Sequence, residues 1–210
     1  MIEVLIVDDH AIVREGLTKI IEFEKDMVVI GMANDSSEAI HHVSTHKMDV
    51  VVLDISMPGR SGLDVIKDIK NIQPGVKIII LSMYQEERFA VRAFKAGASG
   101  YLTKEMATEE IVNAIRKVST GGKYISARFA ETLVNEMSAP SELLPHERLS
   151  DREFEVMCMI ASGKTVNAIA EELFLSDHTV STYRRRILEK MNMKNNAEII
   201  HYAIENGFWV

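Results

Sequence analysis

The chain has 210 residues, of which 47% are hydrophobic and 26% charged, and its formal net charge is −7 at pH 7. This length predicts one or two domains, and the composition excludes intrinsic disorder along most of the chain. The single cysteine, Cys158, excludes a disulfide framework and a cysteine-based zinc site. Every apolar run is far shorter than the roughly 20 residues that span a bilayer, and no secretory leader is apparent. We therefore expect a soluble protein of a reducing compartment, the cytoplasm, with no membrane segment.

The first 119 residues alternate short apolar runs with longer amphipathic stretches. The runs are rich in β-branched residues, as strands buried on both faces of a parallel sheet are, and they occupy residues 3–7, 27–33, 50–53, 76–81 and 99–102. Between them, apolar residues recur at spacings of three and four, which is typical of helices with one buried face. This alternation predicts a doubly wound α/β domain built on a five-stranded parallel sheet.

From Ser119 onwards the alternation ends. Gly121 and Gly122 predict the end of the fifth helix, residues 128–137 can form one more helix, and Pro140 and Pro145 then break any periodicity. The remaining residues show no strand pattern and predict four helices, at about 151–161, 166–174, 178–191 and 195–205. We therefore expect three parts: a first domain over 2–119, a linker over 120–145, and an all-α four-helix domain over 146–210.

Polar side chains stand where the predicted strands end. Ligands of open parallel sheets bind beyond the carboxyl ends of the strands, and the residues placed there are Asp8, Asp9, Asp54, Ser82 and Lys104. Neighbouring carboxylates repel one another unless a cation shares the site, and Mg²⁺ fits because it prefers oxygen ligands. Any one acid alone is more simply a solvated loop residue, so the convergence of all five groups is what predicts a site. His10 is expected to begin the first helix rather than bind the metal.

Such a site supports phosphoryl transfer. With a metal neutralising the acidic pair, Asp54 can act as the nucleophile on a phosphoryl donor. Lys104 offers a compact cation to the phosphoryl oxygens, and Ser82 offers a hydrogen-bond donor to another of them. The product is an acyl phosphate that water can later hydrolyse.

Five separated motifs in order resemble the receiver domain of response regulators over about residues 2–119. They are Val7-Asp8-Asp9-His10, Asp54-Ile55-Ser56-Met57-Pro58 followed by Gly62, then Ser82, and Tyr101-Leu102-Thr103-Lys104. The resemblance implies a flavodoxin-like fold, a phosphoacceptor at Asp54, and Mg²⁺ held by Asp8, Asp9, Asp54 and the backbone carbonyl of Ser56. It also implies a switch in which Ser82 moves towards the phosphate and Tyr101 turns inwards. Glu105 stands where many receivers have proline.

The segment 178–191 is the most basic element of the chain. Its apolar residues Val180, Tyr183, Ile187 and Met191 share one face, and the opposite face is polar. Between Ser176 and Lys194 five cations stand against two acids, with three consecutive arginines at 184–186. A short preceding helix and a tight turn at 175–176 complete the pattern of a helix-turn-helix. The plainer reading, an amphipathic pair with a solvated arginine face, is about equally compatible with this pattern alone.

Residues 145–208 resemble the LuxR-type helix-turn-helix of NarL/FixJ response regulators. The matching motifs are Leu149-Ser150-Asp151-Arg152-Glu153, Ile169-Ala170-Glu171-Glu172-Leu173 and Thr179-Val180-Ser181-Thr182-Tyr183. The resemblance implies base contacts at Ser181, Thr182 and Arg185, with phosphate contacts at Lys164, Thr165, Arg184 and Lys190. Residues 166–168 and the pair Ser181 and Tyr183 depart from the common pattern, which leaves the preferred DNA site open. The stretch 183–186 is most similar to the GacA/UvrY-like branch.

Together the two resemblances imply a transcription regulator, with a sensor histidine kinase and double-stranded promoter DNA as partners. Because one small domain makes few phosphate contacts, useful affinity is expected to need a homodimer on paired half-sites, with helix 195–205 as a candidate interface. The chain is not expected to be an enzyme beyond its own phosphorylation and dephosphorylation.

Two other function classes remain open from the residues alone. A magnesium-dependent phosphatase would also place acids at strand ends, but it needs a general acid near its nucleophile, and Ser56 cannot serve as one. A signalling adaptor could use the helical domain for protein contacts. Salt-dependent DNA binding that Arg185→Ala weakens would separate the regulator from the adaptor.

Overall fold

The computed structural model describes residues 1–57, 60, 62–83, 86–126, 129–130 and 144–208. The chain divides into two compact units, Met1–Met137 and Ser138–Val210. Among the described residues, no helix has both the length and the apolar composition needed to cross a membrane.

The first unit is built on a five-stranded sheet in which every neighbouring pair is parallel. The strands, in chain order, are β1 Ile2–Val7, β2 Met27–Ala33, β3 Val50–Asp54, β4 Lys77–Ser82 and β5 Gly100–Thr103. Their order across the sheet is β2-β1-β3-β4-β5. The predicted doubly wound five-stranded parallel sheet is confirmed. The strand order reverses beside β1, so the carboxyl ends of β1 and β3 border the crevice where such folds bind ligands.

Within the described residues, five helices alternate with the strands. They are α1 Ala11–Glu22, α2 Ser36–Thr45, α3 Gly62–Ile72, α4 Glu86–Ala96 and α5 Lys104–Ser119. One core cluster joins the alternate β1 residues Val4 and Ile6 to α1 and α5, while Leu5 on the opposite face is also fully buried. Burial on both faces explains why β1, β3 and β4 consist of near-continuous apolar runs.

The chain continues to pack on the sheet after α5 ends. Tyr124 forms a parallel bridge with Gly100 of β5, and the Tyr101 amide donates to the Tyr124 carbonyl at 3.1 Å. Further on, Phe129 is fully buried and its ring stacks on Phe94 of α4. Residues 129–130 are helical, and the rest of the helix predicted over 128–137 lies outside the described residues.

The second unit is helical throughout its described part, as predicted. A 3₁₀ turn, Pro145–Arg148, precedes α6 Asp151–Ala161, α7 Val166–Glu172, α8 Asp177–Met191 and α9 Asn196–Glu205. Each helix begins at a residue whose side chain accepts a hydrogen bond from the first-turn backbone, namely Ser150, Thr165, Ser176 and Asn195. The helix α6 is the centre of this unit, because all its residues from Arg152 to Ile160 are buried.

Candidate functional site

Three aspartates meet at the carboxyl edge of the sheet. Asp54 is the last residue of β3, Asp8 directly follows β1, and the side chains of both are only 1% exposed. One ligand atom from each of Asp8, Asp9, His10 and Asp54 lies within 4.8 Å of the others. The strands therefore bring together the acids that the sequence placed at their ends.

His10 plays the predicted structural part and is also a member of this cluster. It begins α1 as its N-terminal flanking residue, and its Nδ1 lies 3.1 Å from Asp8 Oδ1 and 2.8 Å from Asp9 Oδ1. The imidazole is 65% exposed. Its position directly after the acidic pair was the one sequence signal for this proximity.

Lys104 spans the two buried carboxylates. Its Nζ lies 2.7 Å from Asp54 Oδ2 and 2.8 Å from Asp8 Oδ2, and its side chain is 12% exposed. Burial raises the pKa of Asp54, and Asp8 raises it further, against the lowering effect of Lys104. Burial alone would lower the pKa of Lys104, but the two aspartates outweigh it and hold the pKa above its usual value. The charges of this site are therefore mutually dependent.

Two oxygens of the cluster fit a metal ion. Within the described residues, Asp8 Oδ2 and Asp9 Oδ1 are buried and accept no well-formed hydrogen bond; each instead lies 2.8 Å from a nitrogen, Lys104 Nζ and His10 Nδ1 respectively. Buried carboxylate oxygens require a partner, and a set of carboxylate oxygens is what Mg²⁺ prefers. The Ser56 amide donates to Asp54 Oδ1 at 3.0 Å, so Ser56 lies beside the same carboxylate.

Gly62 allows α3 to begin directly against Asp54. A Cβ at this position would lie 2.4 Å from the Asp54 carbonyl oxygen and 2.8 Å from Ile55 Cα, which are both backbone atoms. The Gly62 amide donates to the Ile55 carbonyl at 2.9 Å. The spacing between Asp54 and Gly62 in the motif thus has a steric cause.

The predicted switch residues lie on the neighbouring strands. Ser82 ends β4 with no exposed surface, one residue after Leu81, which pairs with Asp54. Tyr101 of β5 is 2% exposed and lines a small cavity of about 30 Å³ together with Tyr124. Ser82 therefore lies on the strand next to Asp54, and Tyr101 lies on the strand beyond it.

The helix α8 presents one polar face. Val180, Ile187 and Met191 are buried on its apolar side, whereas Ser181 is exposed. Arg185 is 70% exposed, and its only ion pair within the described residues is a loose one with Glu189 at 3.9 Å. Thr182 is half-buried and its hydroxyl donates to the His178 carbonyl. The three predicted base contacts, Ser181, Thr182 and Arg185, thus share the outward side of the helix.

The four predicted phosphate contacts are engaged within the second unit. Lys164 pairs with Glu172, and the Thr165 hydroxyl accepts from the Ala168 amide at the start of α7. The remaining two are on α8 and have partners on neighbouring helices: Arg184 Nε donates to Asn196 Oδ1 at 2.6 Å, and Lys190 Nζ lies 2.5 Å from Glu153 Oε2. The sequence pattern does not predict these partners, and contact of the four residues with DNA phosphates stays a prediction.

Comparison with known proteins identifies both units. Residues 4–116 match the family described as the response regulator receiver domain, and residues 147–203 match the luxR family of bacterial regulatory proteins. The response regulator UvrY of Escherichia coli K12 is 40% identical over 208 residues, covering 99% of this chain and 95% of its own. The chain belongs to the NarL/FixJ family of response regulators. Both resemblances, to the receiver domain and to the LuxR-type helix-turn-helix, are confirmed.

Other members of this response regulator family are similar along their whole length. GacA of Pseudomonas aeruginosa is 37% identical, covering 99% of this chain and 97% of its own, and NreC of Staphylococcus carnosus is 38% identical, covering 97% of each. UvrY and GacA confirm the predicted similarity to their branch. Among solved structures, the RcsB response regulator of Salmonella typhimurium has a TM-score of 0.68 at 27% identity, covering 98% of each chain. The structure of an RcsB–DNA complex has a TM-score of 0.59 and covers 96% of each.

The family settles the class of function. A receiver domain implies a histidine kinase as partner, and a LuxR-type domain binds DNA, so this response regulator regulates transcription. The two alternatives left open by the residues, a phosphatase and an adaptor, do not describe this family.

Proposed function

We propose that Asp54 accepts a phosphoryl group from a sensor histidine kinase, with Mg²⁺ held by Asp8, Asp9, Asp54 and the backbone carbonyl of Ser56. The observation that supports this most is the convergence of carboxylate oxygens from Asp8, Asp9 and Asp54 at one edge of the sheet, where Asp8 Oδ2 and Asp9 Oδ1 are buried. When bound, the metal neutralises the acidic cluster and the phosphoryl oxygens.

The side chains of this chain then have distinct parts in the reaction. An Asp54 carboxylate oxygen attacks the phosphorus of a phosphohistidine; the new O–P bond forms as the N–P bond breaks, and the electron pair stays on the imidazole nitrogen. Lys104, already 2.7 Å from Asp54 Oδ2, binds a phosphoryl oxygen. Ser82 donates to another, and Tyr101 transmits its movement along β5. Water later attacks the phosphorus, breaks the bond to Asp54 and releases inorganic phosphate.

Labelling with radioactive acetyl phosphate tests this proposal. Asp54→Ala should abolish incorporation, whereas Asp64→Ala, which removes a half-exposed carboxylate of α3, should leave it unchanged. Chelation of Mg²⁺ should abolish labelling of the unaltered chain, and Asp9→Asn should raise the Mg²⁺ concentration needed for half-maximal labelling. Full labelling of Asp54→Ala would show that the phosphoacceptor is another residue.

We also propose that α8 lies in the major groove of promoter DNA. Ser181, Thr182 and Arg185 face outward and reach base edges, where an arginine can pair with guanine through two hydrogen bonds. Lys164 and Thr165 at the start of α7 contact phosphates. The Lys164 pair with Glu172 does not prevent this, because both side chains are more than one third exposed and a surface ion pair contributes little stability.

The active species is proposed to be a cytoplasmic homodimer on paired half-sites, with α9 at the interface. Residues 146–210 form the DNA-binding domain, residues 2–119 contain the receiver, and residues 120–145 connect them. Sedimentation with and without beryllofluoride tests the dimer: a shift from monomer to dimer is expected on addition. Absence of a shift at every concentration would contradict it.

A further inference from the structure

The three consecutive arginines of α8 lie in different surroundings. Arg184 is half-buried and donates through Nε to Asn196, the first residue of α9, at 2.6 Å. Arg185 is 70% exposed and lies 3.9 Å from the exposed Glu189. Arg186 is exposed, and no hydrogen bond or ion pair joins its side chain to the described part of the chain. The three adjacent arginines therefore differ in both exposure and contacts within the described part of the chain.

Helical geometry agrees with these contacts. With about 100° between successive residues, Arg184 projects about 40° from the centre of the apolar side that Val180, Ile187 and Met191 define. By the same measure, Arg185 and Arg186 project about 140° to one side and about 120° to the other. They therefore flank the exposed face of α8 on which Thr182 stands.

Lys190, like Arg184, has a close partner on a neighbouring helix, although its own side chain is 41% exposed. Its Nζ lies 2.5 Å from Glu153 Oε2, and the Glu153 side chain is 3% exposed. The same carboxylate accepts from the Ser150 amide at the start of α6. Burial alone would raise the pKa of Glu153, but the hydrogen bonds from Lys190 and Ser150 outweigh it and lower the pKa. Transfer of Lys190 to a DNA phosphate would leave a buried carboxylate without its cation, which is costly.

We infer that the cations of α8 have two separate roles. Arg186 joins Arg185 in contacting DNA, with Arg186 on a phosphate, whereas Arg184 and Lys190 are positioning residues that fix α8 against α9 and α6. This inference rests on the proposed DNA binding and revises the assignment of Arg184 and Lys190 as phosphate contacts. The orientation of the recognition helix therefore depends on Asn196 and Glu153, neither of which touches DNA.

The salt dependence of DNA affinity separates the two roles. The slope of log affinity against log salt is negative, and each phosphate contact that is lost makes it shallower by about 0.9, whereas a residue that only orients the helix leaves the slope unchanged. The full chain with beryllofluoride, a short random-sequence duplex and salt between about 50 and 200 mM provide the measurement. The random duplex reports phosphate contacts without knowledge of the operator.

Three variants and one control separate the two roles by their salt slope and their melting temperature. Arg186→Gln should make the slope shallower by about 0.9 and weaken binding about tenfold near 0.1 M salt, with an unchanged melting temperature. Lys190→Gln and Arg184→Gln should leave the slope unchanged and lower the melting temperature, by about 5 °C or more for Lys190→Gln. Lys19→Gln, an exposed cation of α1 in the other unit, is the charge-matched control and should change neither quantity.

A double variant distinguishes the loss of one ion pair from general misfolding. Glu153→Gln combined with Lys190→Gln removes the uncompensated carboxylate, so it should recover most of the melting temperature and binding. An unchanged slope for Arg186→Gln, or a shallower slope with an unchanged melting temperature for Lys190→Gln, would overturn the inference. Salt-independent or absent binding by the unaltered chain would instead refute the DNA-binding proposal itself.

Discussion

The main chain of Tyr124 pairs with Gly100 at the edge of β5, although Tyr124 lies beyond the end of α5 at Ser119. The approach is close, since a Cβ on Gly100 would lie 3.1 Å from Tyr124 Cβ. Lys123 Nζ donates to the Ala98 carbonyl, and the Tyr124 hydroxyl donates to Glu110 of α5 at 2.6 Å. The first residues of the predicted linker thus add to the sheet beside the proposed switch residue Tyr101.

Phe129 should contribute to the stability of the first unit as a core residue does. Because its ring is fully buried and stacked 6.1 Å from Phe94, Phe129→Ala should lower the free energy of unfolding by about 3 kcal/mol. Urea denaturation of the full chain, followed by a probe in the first unit, measures this. Phe23→Ala is the matched control, because Phe23 is 86% exposed and should change stability by less than about 0.5 kcal/mol. Equal effects of the two substitutions would contradict the packing.

A chain that ends at Ser119 should be less stable than one that ends at Ala130. The shorter chain lacks Tyr124 and Phe129, so β5 regains an unpaired edge and Phe94 loses its neighbour. Thermal unfolding of the two fragments should show a lower midpoint for the shorter one. Identical midpoints would place the working boundary of the receiver at 119.

Alkaline pH should weaken the attachment of Tyr124. Burial, followed by the hydrogen bond to Glu110, raises the pKa of Tyr124 to about 12 from a usual value of 10.0. The phenol therefore keeps its proton more tightly in the folded chain than in the unfolded chain. Its contribution to stability is complete below pH 10 and is lost as the pH rises towards 12. Urea denaturation over this range should show a steeper decline for the unaltered chain than for Tyr124→Phe, and parallel declines would refute the role of the hydroxyl.

Gly62 and Gly16 should respond in opposite directions to the same substitution. Gly62→Ala forces a methyl group against the backbone of Asp54 and Ile55, so it should cost about 1–3 kcal/mol and slow acetyl phosphate labelling. Gly16→Ala lies within α1 with nothing within 4 Å, so it should stabilise by about 0.5–1 kcal/mol and leave labelling unchanged. Rapid labelling of Gly62→Ala would show that the close approach does not shape the site.

The sequence predicts the acidic site well because strand ends obey a topological rule. Once β1 and β3 are recognised, parallel pairing alone brings Asp8 and Asp54 to one edge. No such rule places Tyr124 and Phe129, which lie after the two glycines that end the predicted α/β alternation. The folded structure positions them because β5 has an open edge and Phe94 an open face.

In the second unit, too, the sequence predicts which face of a helix is buried but not which residues pack against it. Periodicity along α8 predicts that Arg184 lies beside the apolar face and that Arg185 points outward. It does not predict that Glu153, distant in sequence, is the partner of Lys190, because a helical pattern defines a face and not its neighbour. Tertiary packing decides which cations have buried partners and which remain exposed.

Phe174 occupies a backbone conformation that suits another residue. Its φ is 53°, in the left-handed region, and its ring is 68% exposed, so it has strain without compensating burial. The turn requires this conformation, because the Leu175 amide donates to the Ala170 carbonyl at 2.8 Å just after α7. Asn192 has φ 55° after α8, and asparagine tolerates this region better than phenylalanine does.

Exchange between these two positions gives the last prediction. Phe174→Asn should raise the free energy of unfolding of the second unit by about 1 kcal/mol, and Asn192→Phe should lower it by a similar amount. Urea denaturation monitored in the second unit measures both changes. Because neither phenylalanine nor asparagine carries a charge, Phe174→Asn should also leave the salt slope of DNA binding unchanged. Destabilisation by Phe174→Asn would show that the exposed ring has a stabilising contact that outweighs its backbone strain.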